Sequence, residues 1–378
     1  GVVAEHVRSL VPAITAEDVE LVRLAGLLHD VGHGPLSHMY EAFVREATGG
    51  ETAWCHEAQT LRILDAEVMD EVQSARAWTH TRAENRAFLA GLVTGVEPTV
   101  GSTGRDRAVV LALLDVLHSH VGVDADRIDY LLRDTLCVFG STHTVDAMRI
   151  VHAIRVGAGG RISFDHTVAL SIQQLFELRT RLHKQVYQHR DVLVVEVLLK
   201  AHMATTLDAA TVPSLDAFCA LTDARVLESA PLCRLHRHPR MHRVHVDLVV
   251  PTAPLCACGY EFLLRRSNFC PECGAPARLA HPPPTLTSAE ATAHVRRHLP
   301  RDGDGVHVLL SDVVYGSLRA VPFHDAEGRP RTVPDEGERP LRYHIRKVYC
   351  YTEQRGTDGL GSRVEEALRA LWTALTVA

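Results

Sequence analysis

The sequence has no run approaching the 18 or so apolar residues that a membrane span requires. Its best apolar stretch, Val192 to Leu199, is broken by Glu196, so no membrane partner is expected. A positive charge excess is missing too: 40 Lys and Arg against 46 Asp and Glu leave a net charge of −6. That balance argues against non-specific duplex binding but not against a local basic pocket, so nucleic acid stays open as a partner. No signal-peptide pattern is visible, which points to a cytoplasmic protein with reduced thiols. The chain begins with Gly1 rather than Met, so an upstream piece is expected. Internal repeats are absent. What is present is an ordinary globular balance, 46% hydrophobic and 23% charged, which excludes a disordered or fibrous chain. The 378 residues suffice for one large or two to three small domains. Two counts stand out: 24 His and nine Cys. An odd number of thiols beside many imidazoles points to metal chemistry before disulfides.

Four of the cysteines cluster as Cys256-Ala257-Cys258-Gly259 and Cys270-Pro271-Glu272-Cys273-Gly274, with eleven residues from Gly259 to Phe269. Two short thiol hooks can place four sulfurs at the corners of a tetrahedron, the closed geometry of structural Zn²⁺. A disulfide-linked loop is the alternative, and the missing signal peptide disfavours it. The local charges are only mildly basic, so the ribbon reads as a staple rather than a nucleic-acid contact. The other five (Cys55, Cys137, Cys219, Cys233 and Cys350) are scattered and read as reduced thiols.

Residues 1–235 read as helix after helix. The spacing predicts helices over 18–29, from Gly34-Pro35 to about Glu46, and over 57–72, 107–121 and 124–137, with one long helix over 173–205. A short strand pair is expected around Gly159-Gly160. Beyond that the character changes to strands at 244–250, 306–314 and 343–351, with helices at 288–298 and 362–376. The expected fold is mainly α: a helical body over 1–235 and a smaller C-terminal α+β lobe over 236–378. A zinc ribbon is inserted in that lobe at about 251–283.

The informative string runs Ala25-Gly26-Leu27-Leu28-His29-Asp30-Val31-Gly32-His33-Gly34-Pro35-Leu36-Ser37-His38. An adjacent His and Asp at the end of an apolar helix, followed by glycines around another His, has no packing rationale. His29 offers an imidazole and Asp30 a carboxylate, a donor pair for a divalent ion. The glycine turn lets backbone approach an anionic ligand. A helix C-cap alone would not explain four such residues within ten positions. A second string, Val123-Asp124-Ala125-Asp126-Arg127-Ile128-Asp129-Tyr130, continues to Arg133-Asp134. Helical spacing puts Asp126, Tyr130 and Asp134 on one face, with Arg127 beside Tyr130. A solvated charged face is the bland alternative, and it leaves the tyrosine unexplained.

These strings, with Trp54-Cys55-His56-Glu57, resemble the HD-domain deoxynucleotide triphosphohydrolase family, most closely the branch that also carries a SAM domain, here without one. The run from Phe176 through Arg179 and His183 to Tyr187-Gln188-His189 continues the resemblance, as do Leu221-Thr222-Asp223 and Ile345 to Cys350. Coverage is nearly the whole chain, except for the ribbon. The resemblance implies metal-dependent hydrolysis of deoxynucleoside triphosphates to deoxynucleoside and triphosphate. It makes His29, Asp30 and Asp126 three of four ligands to a catalytic ion, which could be Mg, Mn or Fe. The fourth ligand, a His, is expected a few residues upstream of Gly1, with His6 too far along its helix to replace it. His56 is implied as the proton donor, with His33 beside it and Glu41 standing where the family has an Asp that orients that histidine. His38, Arg127, Tyr130 and Arg179 are implied around the triphosphate, Asp134 near the 3′-hydroxyl, Tyr187 against the deoxyribose and Gln188 near the base. A homo-oligomer, dimer or tetramer, and a nucleotide activator are also implied. A basic pair that binds the activator in the family is here Asp165 and Thr167, so the same mode of activation is not expected. Two other readings compete: another HD phosphohydrolase acting on single-stranded nucleic acid or a cyclic nucleotide, and a catalytically silent nucleotide-sensing module.

Overall fold

A computed structural model describes residues 1–48, 54–75, 78–119, 121–140, 145–157, 159–207, 214–229, 240–250, 288–299, 306–314, 321–325, 327–331, 344–352 and 360–377. The ribbon cysteines Cys256, Cys258, Cys270 and Cys273 lie outside the described residues. The chain divides into two compact units. The first comprises Gly1–Leu178, Glu196–Leu232 and Leu318–Pro334; the second comprises Arg179–Val195, Cys233–Ser317 and Asp335–Ala378. The main division falls close to residue 235, and two segments, 179–195 and 318–334, group across it.

The first unit is helical. Its early elements are α1 (Val2–Leu10), α2 (Ala16–Leu28), α3 (His38–Ala47) and α4 (His56–Ile63). A π turn (Leu64–Val68) leads into α5 (Met69–Ala75), followed by α6 (Arg82–Thr94), α7 (Arg107–Leu117) and α8 (Ala125–Phe139). Two starts are fixed by capping boxes. Thr15 accepts the N–H of Asp18 while the Asp18 carboxylate accepts the N–H of Thr15, and Thr81 and Glu84 repeat the arrangement at α6. α7 is the central element: every residue from Val109 to Leu117 is buried. It packs against α1, α2, α6 and α8. A buried ion pair ties α2 to the loop before α7. Arg105 Nε lies 2.5 Å from Asp18 Oδ1, and the Arg105 guanidinium sits over the Phe88 ring at 4.4 Å. A small sheet completes the unit. β1 (Ile154–Val156) and β2 (Ile162–Asp165) form the expected antiparallel pair, and β2 pairs in parallel with β5 (Phe323–His324), which is antiparallel to β6 (Pro330–Arg331).

Three sequence expectations shift. The helix expected from Gly34-Pro35 begins at His38, because Leu36 and Ser37 take positive φ values of 63° and 55° that no α-helix accommodates. The helix expected over 57–72 is interrupted by the π turn at Leu64–Val68. The long helix expected over 173–205 is two helices, Ala169–Leu182 and Arg190–Thr206, separated by a π turn at His183–Tyr187. A helical apolar period does not distinguish these insertions, because each leaves hydrophobic residues near helical spacing.

In the second unit, β7 (His344–Thr352) is the central strand of an antiparallel sheet in the order β3-β7-β4. β3 spans Arg240–Val250 and β4 spans Val306–Val314. The helix Ser288–His298 packs against β4, burying Ala291 and Val295, and Thr292 Oγ1 accepts the Val308 N–H at 2.9 Å. The helix Leu360–Val377 packs against β3. Among the described residues no helix is long and apolar enough to cross a membrane.

Candidate active site

The site lies where the end of α2, the loop after it, and the starts of α3, α4 and α8 come together in the first unit. His29 is the C-cap of α2. Its Nε2 lies 3.4 Å from Asp30 Oδ1 and 3.6 Å from Asp126 Oδ1, so the two strings meet although nearly 100 residues separate them. Both carboxylates lie within 3.6 Å of His29, whereas the group whose donor atoms all lie within 4.8 Å of one another is the neighbouring one, His33, His38, Glu41 and His56. The Asp126 carboxylate beside it raises the pKa of His29, and in turn the His29 hydrogen bond lowers that of Asp126. The trio suits a divalent ion in its donor chemistry, one imidazole and two carboxylates.

A second group adjoins the first through Asp30, whose Oδ1 lies 3.6 Å from His33 Nε2. His33 stacks on His56 with ring centroids 4.0 Å apart and an interplanar angle of 12°. The His38 ring meets His33 edge-on at 4.7 Å. Glu41, on the first turn of α3, reaches His56 Nδ1 at 3.0 Å and His38 Nδ1 at 4.0 Å. A carboxylate only accepts, so His56 holds its proton on Nδ1 toward Glu41. One donor atom each from His33, His38, Glu41 and His56 lies within 4.8 Å of the others, a group that could itself hold a metal. Burial and the neighbouring His56 lower the pKa of His33, and His33 Nδ1 is buried with no hydrogen-bond partner.

α8 supplies the third wall. Asp124 caps it, accepting the Arg127 N–H at 2.9 Å and pairing with the Arg127 guanidinium. Burial pushes the Asp124 carboxyl up to about 6. Asp126, Arg127, Tyr130 and Asp134 are half-buried along the helix, whereas Asp129 and Arg133 are exposed and pair with each other. Arg179, Tyr187 and Gln188 belong to the second unit. There Tyr187 meets His183 edge-on at 5.1 Å, and burial, aided by Arg179, lowers the His183 pKa to about 4. His6 stands away from His29 in its observed contacts, its ring set edge-on to His152 at 5.8 Å.

Other residues have roles that sequence reasoning missed. Thr60 is fully buried on α4, one turn after His56; its Oγ1 donates to the His29 carbonyl at 2.8 Å and accepts the Gly32 N–H at 2.9 Å. Gly32 packs so tightly there that a Cβ would lie 2.2 Å from both His56 O and Thr60 N. His118 lies near His29 and Asp126 and has its pKa lowered by burial and by His29. A lone threonine and a lone histidine carry no spacing signal. The group formed by His33, His38, Glu41 and His56 was legible residue by residue, not as one cluster.

Residues 2–131 match the HD domain family, with His29, Asp30 and Asp126 inside the match. Over that stretch the chain is similar to the HD domain family. A deoxynucleoside triphosphate triphosphohydrolase SAMHD1 homolog of Dictyostelium discoideum is 30% identical over 190 residues, covering 49% of this chain and 33% of the relative. The human deoxynucleoside triphosphate triphosphohydrolase SAMHD1 is 25% identical over 240 residues, covering 57% and 38%. An HD domain-containing protein of Acanthamoeba polyphaga mimivirus is 26% identical over 221 residues, covering 57% and 44%. The family resemblance drawn from the motifs is therefore borne out over about half of the chain rather than nearly all of it. The chain spans less than half the length of these curated relatives.

Proposed function

We propose that this protein hydrolyses deoxynucleoside triphosphates in a metal-dependent reaction, releasing deoxynucleoside and intact triphosphate. The observation that carries the reading is the junction at Asp30, where the donor trio His29, Asp30 and Asp126 adjoins the imidazole group of His33, His38 and His56. A divalent ion held by His29, Asp30 and Asp126 would supply Lewis-acid polarisation and a water of lowered pKa, from about 15.7 towards about 7. The chain's own residues account for the rest. The histidine group forms a cluster of donors for a polyphosphate. Arg127 adds a guanidinium, once released from Asp124 by the competing phosphate charge. Water adds its oxygen to the α-phosphorus and gives up a proton to a phosphate oxygen, the bond to the 5′-oxygen breaks, and His56, acting as an imidazolium with Nδ1–H held by Glu41, delivers its Nε2 proton to that oxygen. Glu41 holds the opposite ring nitrogen throughout, so Nε2 is the nitrogen that serves the leaving group.

The substrate-side roles of Arg179 (triphosphate), Asp134 (3′-hydroxyl), Tyr187 (deoxyribose) and Gln188 (base) are part of the proposal, supported by resemblance. So are the homo-oligomer and a structural zinc on Cys256, Cys258, Cys270 and Cys273. The test is incubation of the purified protein with each dNTP, a single-stranded oligonucleotide and a cyclic nucleotide, in Mg²⁺, Mn²⁺ or Fe²⁺. Consumption of dNTPs with the oligonucleotide and cyclic nucleotide intact supports the proposal. Release of mononucleotides from the oligonucleotide, with dNTPs untouched, overturns it.

A further inference from the structure

Two adjacent non-glycine residues, Leu36 and Ser37, are the only described ones with positive φ, at 63° and 55°. Ser37 has ψ −121°, a combination that ordinarily requires glycine. They sit between the glycine turn carrying His33 and the first residue of α3, His38. Strain of this kind persists only where the surroundings over-determine it, and it concentrates at functional sites.

The surroundings here come from far along the chain. The Leu36 N–H donates to Asp223 Oδ1 at 2.7 Å, across a separation of 187 residues. Asp223 opens the short helix Asp223–Ser229. The same region supplies an apolar seat: Leu36 and Met39 pack against a buried cluster that contains Met203, Phe218 and Val226. Ser37 makes no side-chain cap to α3, so its hydroxyl does not justify the conformation. The next residues are the ones that matter chemically. His38 follows directly, and Glu41 lies one turn on, 3.0 Å from His56 Nδ1.

We propose that Asp223 is a positioning residue: its carboxylate clamps the Leu36 amide, holds the left-handed kink at Leu36-Ser37, and thereby sets the direction from which α3 delivers His38 and Glu41 to His56. The inference rests on the function proposed above for those three groups. It adds a residue that touches neither substrate nor ion. Without the clamp the kink relaxes towards ordinary φ, and the start of α3 swings away from His33 and His56. Displacement of about 1 Å in such a group costs about a hundredfold in rate.

The experiment compares Asp223→Ala, Asp223→Asn and Ser37→Gly, alone and combined. Asn keeps the accepting oxygen, so Asp223→Asn should hold kcat within about threefold of the parent. Asp223→Ala should lose about 10- to 100-fold in kcat, with KM raised as His38 leaves the phosphates. Ser37→Gly removes the backbone penalty without removing a hydrogen bond. It should be near-silent alone and recover most of the loss in Asp223→Ala. Equal loss in the Ala and Asn variants, full activity of Asp223→Ala, or no recovery by Ser37→Gly overturns the proposal. Should Asp223→Ala fail to fold, amide exchange in the unmodified chain decides: the Leu36 amide must exchange slowly, and fast exchange refutes the clamp. The ring resonances of His38 and His56 separate this proposal from the functional one. They should move in Asp223→Ala and return with Ser37→Gly even if no dNTP is hydrolysed, whereas inactivity of the unmodified chain with these shifts present refutes only the assigned reaction.

Discussion

Replacing Thr60 by Val should uncouple the two halves of the site. The side chain has no exposed surface, and its hydroxyl is bound on both sides, by the Gly32 N–H at 2.9 Å and the His29 carbonyl at 2.8 Å. Valine has nearly the same shape, so packing is preserved and only the hydrogen bonds are lost. An unsatisfied buried polar group costs about 1–3 kcal/mol. The Gly32 amide is buried and takes the larger share, while the partly buried carbonyl takes the smaller, giving about 2–4 kcal/mol together. For a unit of this size that corresponds to a fall in Tm of about 5–15 °C. Activity should fall at least about tenfold at temperatures where the variant is folded, because the His29 carbonyl loses the bond that fixes its ring beside Asp30 and Asp126. Thr60→Ser keeps the hydroxyl and should retain most of both. Thermal unfolding by circular dichroism and triphosphate release measured in parallel provide the assay. A Val variant melting within about 1 °C of the parent, with unchanged turnover, would refute the reasoning.

Asp126→Ala removes the carboxylate 3.6 Å from His29 Nε2 and should lower hydrolysis by at least about a thousandfold, with the circular dichroism spectrum unchanged. Near-normal turnover would remove Asp126 from the ion site. Elemental analysis of fresh protein should find one tightly held zinc per chain that survives dialysis against weak chelators, and Cys270→Ser should lose that zinc before it loses activity. dGTP should be turned over on the order of a hundredfold faster than GTP, and Tyr187→Ala should narrow the gap. Equal rates in the unmodified protein would contradict the proposed packing of Tyr187 on the sugar.

Much of the candidate site was legible because its residue pattern is not one that packing calls for. An adjacent His-Asp pair closing an apolar helix is not a packing motif, and the i, i+4 stripe from Asp126 to Asp134 names its own face. The structure adds what depends on distant contacts. Pro35 is a good helix starter by local rules, yet α3 begins at His38 because Asp223 and the apolar cluster hold the intervening residues in a left-handed turn. The π turn at His183–Tyr187 splits a stretch whose apolar period reads as continuous. β5 and β6 are two residues each; β5 joins β2 through a parallel pairing more than 150 residues distant, and β6 pairs with β5. No alternation pattern can be seen in so short a strand. Thr60 and His118 act singly, through burial and partners that only the folded chain defines.

The most direct test is the identity of the product. With dGTP and the preferred divalent ion, phosphorus NMR should show inorganic triphosphate accumulating, with neither pyrophosphate nor orthophosphate as a primary product, and chromatography should show deoxyguanosine rising in step. That outcome matches cleavage at the bond between the α-phosphorus and the 5′-oxygen, the bond whose leaving oxygen His56 is proposed to protonate. Appearance of dGMP with pyrophosphate, or of dGDP with orthophosphate, would place the cleavage elsewhere along the phosphate chain and contradict it.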